Sequence, residues 1–330
     1  MANRRVIYAR VPDGVPVEAD FTIEDAAAPE AGPGQLHVRN LWLSLAPYQR
    51  LAMAGRYPFT PGFGVGQVMP GETVSQVIAS GDPGFGPGDL VLCRGGWQTE
   101  AVLPAAGAER LPDGGAEPRR YLDVLGVNGL TAFAGLIDTG RPRPGDTVLV
   151  SAAAGSVGGL VGQIARIAGC RAVGIAGGPE KCGLAVRTLG LDACVDYKAA
   201  DFADRLRTAC PDGVDVYFDN VGGPVLDAAI PLLTTGGRIV LCGSASQYNA
   251  ATPHPPPPLS LFVGKRAEVR GFVVYDHMAR IGEVRRRLSR WLADGRLTAL
   301  EDVAEGLDAA PALFRRLMLG QTVGKTLIRL

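Results

Sequence analysis

The segment "DTVLVSAAAGSVGGLVGQIARIAGCRAVGIAGG", Asp146 to Gly178, leaves this chain few folds to choose from. An apolar β-branched run, a turn of small residues, a helix-spaced apolar stretch and a second apolar run read as strand, turn, helix and strand. Such a βαβ unit belongs to a parallel sheet. Within the turn, Ala152, Gly155 and Gly158 fall in A-x-x-G-x-x-G spacing. Small residues there allow a tight turn, let the backbone approach a pyrophosphate, and leave helix N–H groups facing its charge. The alternative is a tight turn without a ligand, in a chain that holds 45 glycines. Context favours the dinucleotide: an apolar strand precedes the turn, and Val157, Leu160, Val161, Ile164 and Ile167 give the following helix an apolar face.

The end of the second strand separates two dinucleotides. An Asp or Glu there commonly holds the ribose hydroxyls of NAD, and it would repel a 2′-phosphate. This chain has Gly177 and Gly178, then Lys181, which leaves room and supplies positive charge. The spacing predicts NADPH, with Arg171 and Lys198 as further cations; the alternative is that Lys181 is a surface residue of the helix "EKCGLAVRTLG". A second glycine-rich stretch, "GQTVGKT" at Gly320 to Thr326, is no phosphate loop, because three residues rather than four separate its glycines.

Around this unit the texture changes twice. From Val6 to about Leu103, short apolar runs alternate with Gly and Pro turns, which predicts a barrel-like β domain over residues 1–118. "YLDVLGVNGLTAFAGLIDTG" then reads as a helix capped by Gly140, and strand and helix patterns alternate to about residue 292, which predicts a doubly wound parallel sheet over 119–292. The helix "ARIGEVRRRLSRWLADGRL" turns Ile281, Val284, Leu288, Trp291 and Leu292 to one face and its arginines mostly elsewhere, the pattern of a solvated face. Residues 293–330 close the chain with a helix and a strand that need not join the sheet. The loop "QYNAATPHPPPPLSLF" reads as a stiff pocket wall, with a peptide ligand for an SH3-type partner as the alternative.

Lys plus Arg equals Asp plus Glu at 33 each, and aromatics make up 6%, so nothing draws the chain to nucleic acid or an anionic membrane. No apolar run approaches the ~20 residues of a spanning helix, and the start lacks a signal-peptide core, which predicts a cytoplasmic protein. The six cysteines form no C-x-x-C pair, and His37, His254 and His277 lack cysteine neighbours at ligand spacing, so no metal is expected.

The segments "LWLSLAPYQR", "GDLVLCRGGWQTEAVL", "LGVNGLTAFAGL", "VYFDNVGG", "GRIVLCGSASQYN", "RGFVVYDH" and "TVGKTLI" occur, with the βαβ unit, in the order of a known family. Together they resemble the zinc-independent medium-chain dehydrogenases/reductases, in the leukotriene hydroxydehydrogenase, prostaglandin reductase and alkenal double-bond reductase group. The resemblance implies a GroES-like β-barrel catalytic domain joined to a Rossmann domain, an α/β protein overall. It also implies NADPH, a homodimer, and hydride delivery to the β-carbon of an unsaturated aldehyde or ketone. Carried over, it places Ala152, Ala154, Gly155, Ser156, Val157, Gly158, Gly177, Lys181 and Tyr197 on the adenosine and pyrophosphate. Asn220, Cys242, Gly243, Ser244, Ser246, Tyr248, Phe272, Val273, Val274 and Thr322 would line the cofactor toward its nicotinamide. Tyr48 and Tyr248 are the candidate donors to the enolate oxygen; the alternative for each is a packed ring bonded to backbone. Two departures stand out: Ala46 and Gln49 change the neighbours of Tyr48, and Thr322 replaces a common Asn. A quinone reductase and a non-catalytic NADPH-binding protein are the competing functions.

Overall fold

In the computed structural model, which describes every residue except Met1, Pro61, Asp113 and Gly115, Met1–Leu122 with Glu301–Leu330 forms one unit and Asp123–Leu300 another. The first begins with β1 (Asn3–Tyr8) and β2 (Phe21–Ala26), an antiparallel pair, and continues with β3 (Gln35–Leu45), α1 (Tyr48–Met53), β4 (Thr73–Ser80), β5 (Leu90–Cys93), β6 (Glu100–Pro104) and β7 (Glu109–Arg110). Strand β3 pairs with β4 along one edge, while its other edge takes β6 over the first half and the last strand of the chain over the second. A long strand that changes partners midway lets an antiparallel sheet wrap around its own core. That core holds Tyr8, Leu43, Met53, Met69, Trp97, Phe314 and Ile328, all under 4% exposed.

The second unit carries α2 (Val127–Phe133), β8 (Thr147–Ser151), α3 (Ser156–Ile167), β9 (Arg171–Ala176), α4 (Pro179–Arg187), β10 (Ala193–Asp196), α5 (Phe202–Ala209), β11 (Val214–Asp219), α6 (Gly223–Ala229), β12 (Leu233–Leu241), α7 (Leu259–Lys265), β13 (Glu268–Gly271) and α8 (Ile281–Ala293). Its six strands run in the order β10-β9-β8-β11-β12-β13, every pairing parallel. This is the Rossmann order, and it reverses between β8 and β11, where ligands bind at the carboxyl ends of the strands. Strand β8 is buried at all five residues, as a central parallel strand must be. The chain then returns to the first unit with β14 (Glu301–Glu305), α9 (Ala310–Met318) and β15 (Lys325–Arg329), the strand that completes the second edge of β3.

Three local expectations are corrected. The helix after residue 126 runs as α2 and then as a π-helix over Ala134–Gly140, and the left-handed residue that ends it is Arg141 at φ 50°, not Gly140. Gly140 is needed for contact: a Cβ would lie 3.1 Å from Val216 and 3.3 Å from Val240 of the sheet. Residues 293–300 belong with the parallel sheet, because Gln163 of α3 donates to the Thr298 carbonyl at 2.9 Å and accepts its N–H at 2.7 Å. Residues 119–122 belong with the antiparallel unit, where Arg119 and Arg120 each meet Glu301 at 2.9 Å.

Candidate functional site

The turn after β8 is built on a strained residue. Ala152 takes φ +55°, a left-handed conformation that costs an L-residue about 1–2 kcal/mol. Its carbonyl is thereby aimed into the turn, where it accepts the Gly155 N–H at 2.8 Å. A Cβ on Gly158 would lie 2.2 Å from that oxygen and 2.8 Å from the Ser151 carbonyl, so only glycine lets α3 start this close to β8. Gly155 is less constrained, with its Cβ position 3.1 Å from Ala152 O. Gly155 caps α3 without a side chain, and the N–H groups of Ser156, Val157 and Gly158 precede the first intrahelical bond, from Gly159 N–H to the Gly155 carbonyl at 2.9 Å. That cradle fits a pyrophosphate: backbone donors, the positive end of a 12-residue helix and no side chain in the way. Ala154 is buried beneath it. The Ser156 hydroxyl donates to Asp123 and accepts from Asn128 Nδ2 at 2.7 Å, which anchors the helix start to the first turn of α2 and to the chain just ahead of it.

One strand further along, β9 ends at Ala176 and opens into Gly177 and Gly178. A Cβ at Gly177 would meet the Tyr197 ring at 2.9 Å and Lys198 Cε at 3.2 Å, so glycine lets these side chains lie across the backbone. Lys198 Nζ stands 6.0 Å over the Tyr197 ring. Lys181 lies in the first turn of α4, whose cap is Gly178 at φ +99°. The acid at this edge is Asp196, and its carboxylate is already engaged by the N–H groups of Gly178 at 2.7 Å and Lys198 at 2.9 Å. Those two bonds, Lys198 first, hold its pKa below the usual carboxylate range. Arg171 does not join this cluster: it begins β9, at the opposite end of the strand, and donates to the Ala209 carbonyl.

At the reversal of strand order, Asp219 ends β11 with 1% exposure. Its carboxylate accepts from Tyr217 Oη at 2.7 Å, Ser151 Oγ at 3.0 Å and the N–H groups of Val221 and Gly222, each at 3.0 Å. Asn220 is locked to β8, its N–H on Ser151 Oγ and its Nδ2 on the Ser151 carbonyl, both at 2.8 Å. The segment after β12 folds onto this corner. Cys242 and Gly243 donate to the Asp219 carbonyl, Ala245 to that of Asn220 and Ser246 to that of Val221. Tyr248 Oη accepts the Ser244 N–H at 3.3 Å and would stand 3.1 Å from a Cβ on Gly243. Burial raises the Tyr248 phenol and pushes the Cys242 thiol up to about 12, so both stay protonated. Asn220, Cys242, Gly243, Ser244, Ser246 and Tyr248 are thus one cluster. Phe272 packs edge-on against Phe218 at 6.3 Å and beside Gly135, which pins the loop and leaves Val273 40% exposed, followed by Val274.

Tyr48 and Thr322 belong to the other unit. Thr322 is 7% exposed, just before β15. Tyr48 opens α1, and its hydroxyl donates to the Glu72 carboxylate, 3.0 and 3.2 Å from the two oxygens. Its ring packs on Tyr57 at 4.7 Å. Gln49, one of the two departures beside Tyr48, is fully buried and builds this arrangement. It accepts the Ala46 N–H at 2.9 Å and donates to the carbonyls of Ser44 at 3.2 Å and Pro70 at 2.8 Å. The segment carrying Glu72 is thereby tied to the helix carrying Tyr48. Burial, and then the facing carboxylate, push the Tyr48 phenol well above its ordinary range. It stays neutral and keeps its proton, but that proton points at Glu72.

Three groups were missed in the sequence. Glu72 stands 24 positions from Tyr48 with no local pattern linking them. Asp123, ahead of α2, and Asn128, in its first turn, serve Ser156. Asp219 lay inside the motif "VYFDNVGG", and its signal was a buried acid at the end of a central strand. Among the described residues, no three or more His, Cys, Asp or Glu side chains are grouped to hold a metal ion, and no helix is long and apolar enough to cross a membrane.

Comparison with known proteins places the chain in context. Residues 4–111 match the family described as the N-terminal domain of oxidoreductase, and residues 156–293 match the one described as zinc-binding dehydrogenase. The chain is 42% identical to the NADPH-dependent curcumin reductase of Escherichia coli over 99% of its own length and 96% of that protein's. It is 36% identical to the NADP(+)-dependent 2-alkenal reductase of Nicotiana tabacum, over 99% of this chain and 97% of the relative. The crystal structure of CurA from Vibrio vulnificus in complex with NADPH superposes with a TM-score of 0.94 at 40% identity, covering 99% of this chain and 98% of that one.

Proposed function

The chain belongs to the zinc-independent medium-chain dehydrogenases/reductases, in their alkenal and prostaglandin reductase group, from which we infer that it is an NADPH-dependent reductase of the C=C bond of α,β-unsaturated aldehydes and ketones. The observation that carries this reading is the likeness, along 99% of the chain, to reductases whose names state that cofactor and that chemistry. Oxidation of NADPH in the presence of alkenals, enones and quinones tests it. Turnover on quinones alone would instead support a quinone reductase.

Bound NADPH supplies a hydride for the substrate's β-carbon. The Ala152–Gly158 turn and the first-turn N–H groups of α3 hold the pyrophosphate; Lys181, with Tyr197 and Lys198, holds the 2′-phosphate; Asn220 and the backbone after β12 and β13 line the nicotinamide end. A charge-assisted bond to phosphate contributes about 1.5–3 kcal/mol, so Lys181→Ala is expected to weaken NADPH by about 10- to 100-fold and leave NADH nearly unchanged in a binding titration. Equal losses for both cofactors would show that Lys181 supports the fold rather than the phosphate.

Hydride addition leaves negative charge on the carbonyl oxygen, and a neutral phenol is a suitable donor to it. The Tyr48 proton must leave Glu72 to serve there. Tyr48→Phe is therefore expected to lower kcat by no more than about 10-fold, below the ~10²–10³ of a dedicated oxyanion donor, with NADPH affinity unchanged. Single-turnover rates for Tyr48→Phe, Tyr248→Phe and the double variant measure it, and wild-type rates in all three would remove both phenols from the chemistry.

The proposed assembly is a cytoplasmic homodimer. Among the described residues β13 pairs with β12 alone, and Leu259 at 78%, Val263 at 75% and Val269 at 43% exposure flank that open edge, a surface that a second copy can cover. Sedimentation equilibrium reads the state directly.

A further inference from the structure

Glu72 faces the Tyr48 hydroxyl with both carboxylate oxygens, Oε2 at 3.0 Å and Oε1 at 3.2 Å. Among the described residues these are the hydrogen bonds of that carboxylate, and it joins no ion pair. Both residues are half-buried, so the pair borders space that a substrate can enter. The backbone on either side is held. The Glu72 carbonyl accepts the Ser44 N–H of β3 at 2.9 Å, and Gln49 Nε2 of α1 reaches the Pro70 carbonyl at 2.8 Å. Between these two anchors Gly71 is packed tightly, since a Cβ there would lie 2.7 Å from Leu43 Cδ1 and 3.0 Å from Trp97 Cδ1.

The other ionisable groups that act on this hydroxyl are Tyr57 and Arg94. The Tyr57 ring lies 4.7 Å from that of Tyr48, and Arg94 donates to the Phe59 carbonyl at 3.3 Å. Phenols and guanidinium groups keep their protons in acid, so Glu72 is the member of this group that titrates there. A phenol has one proton to give, and an ionised carboxylate can only accept. While Glu72 is charged, the Tyr48 proton is held on it. Protonation of Glu72 allows the bond to reverse: the carboxyl O–H donates to Tyr48 Oη, and the phenol proton turns outward. A phenol that accepts one hydrogen bond is also a stronger donor in the next.

From this geometry we infer that Glu72 is a positioning residue for hydride transfer: ionised, it withholds the Tyr48 proton from the substrate's carbonyl oxygen, and protonated, it releases that proton, so enone reduction is faster in acid. The inference rests on the reading of the chain as an enone reductase with Tyr48 as a donor to the enolate oxygen. Glu72 changes only the direction of a hydrogen bond. The reduction itself is unaltered: hydride adds to the β-carbon, the C=C electron pair moves onto the α-carbon and oxygen, and the α-carbon takes its proton from solvent.

The test is single-turnover reduction of one enone by the full chain with NADPH, between about pH 5 and about pH 8, for wild type, Glu72→Gln, Tyr48→Phe and the double variant. The Gln amide can donate to Tyr48 Oη at every pH. The wild-type rate is expected to rise by about 3- to 10-fold toward acid, while Glu72→Gln is flat and exceeds wild type by about the same factor at the alkaline end. Tyr48→Phe, which keeps the carboxylate, should lose the acid rise. At the alkaline end the same substitution should cost about 10- to 100-fold in the Glu72→Gln background, more than in wild type. NADPH Kd should match across the four proteins at each pH. A Glu72→Gln profile like that of wild type, a folded Glu72→Gln slower than wild type throughout, or an acid rise that persists in Tyr48→Phe would overturn the inference. Should Glu72→Gln fail to fold, the Tyr48→Phe profile decides alone. Turnover of enones with any of these results leaves the function standing, whereas a wild type that reduces no enone removes the function and the inference together.

Discussion

Gly158→Ala is expected to destroy the cofactor site, with NADPH and NADH weakened alike by at least about 100-fold. The added Cβ would lie 2.2 Å from the Ala152 carbonyl oxygen, 2.7 Å from its carbon and 2.8 Å from the Ser151 oxygen. All three are backbone atoms of a turn already strained at Ala152 and tied by Ala153 N–H to the Ile175 carbonyl of β9 at 2.9 Å, so the turn has no soft direction in which to give. Relief requires α3 to back away from β8, which breaks the packing of the central strand. The stability cost is about 3–5 kcal/mol, or on the order of 10 °C in Tm for a unit of this size. Gly155→Ala is the control, since its Cβ would meet only the Ala152 oxygen at 3.1 Å, and its loss should stay near 1 kcal/mol. Calorimetry with and without cofactor separates the variants; a Gly158→Ala protein with wild-type Tm and NADPH affinity would show that the turn does not have this geometry.

Asp219→Ala carries the second large effect. The side chain is buried and serves the Ser151 and Tyr217 hydroxyls and the Val221 and Gly222 amides. Its removal leaves those donors without their acceptor at the meeting point of β8, β11 and the segment after β12. Each stranded donor costs about 1–3 kcal/mol, reduced where water enters the space, so a total of about 3–5 kcal/mol is expected. Asp219→Asn keeps the volume but turns an amide toward some of these donors, and should lose roughly half as much. Because Ser151 Oγ also receives the Asn220 N–H, NADPH affinity should fall with stability. Urea midpoints and cofactor titrations on the two variants check this, and unchanged midpoints would mean that the network is incidental.

The legible parts of this protein are the local ones. The β8–α3 unit announces itself because the turn, the cradle and the apolar face of the helix all lie within about twenty consecutive residues and obey fixed periods. Motif order also singles out Asn220, Cys242 to Ser246 and Tyr248, and the fold brings them together in one corner at the reversal of the sheet. Long-range pairing was not legible. Nothing near Tyr48 signals that its proton is turned to Glu72, because that contact is created by Gln49 reaching the Pro70 carbonyl across a turn. Arg171 is expected to add charge beside Lys181, yet strand direction puts it at the opposite end of β9. Arg141 took the left-handed cap that glycine usually holds, since Gly140 was required for contact with Val216 and Val240.

Reduction of a conjugated C=C bond by this enzyme sends hydride to the β-carbon and spares the carbonyl itself. The most direct measurement is the reduction of an α,β-unsaturated ketone with NADPH carrying deuterium at the transferred C4 position, with the product read by NMR. The expected product is a saturated ketone with deuterium on the β-carbon alone and a solvent-derived proton on the α-carbon. An allylic alcohol with deuterium on the former carbonyl carbon, or no product from any enone while quinones are reduced, would contradict it.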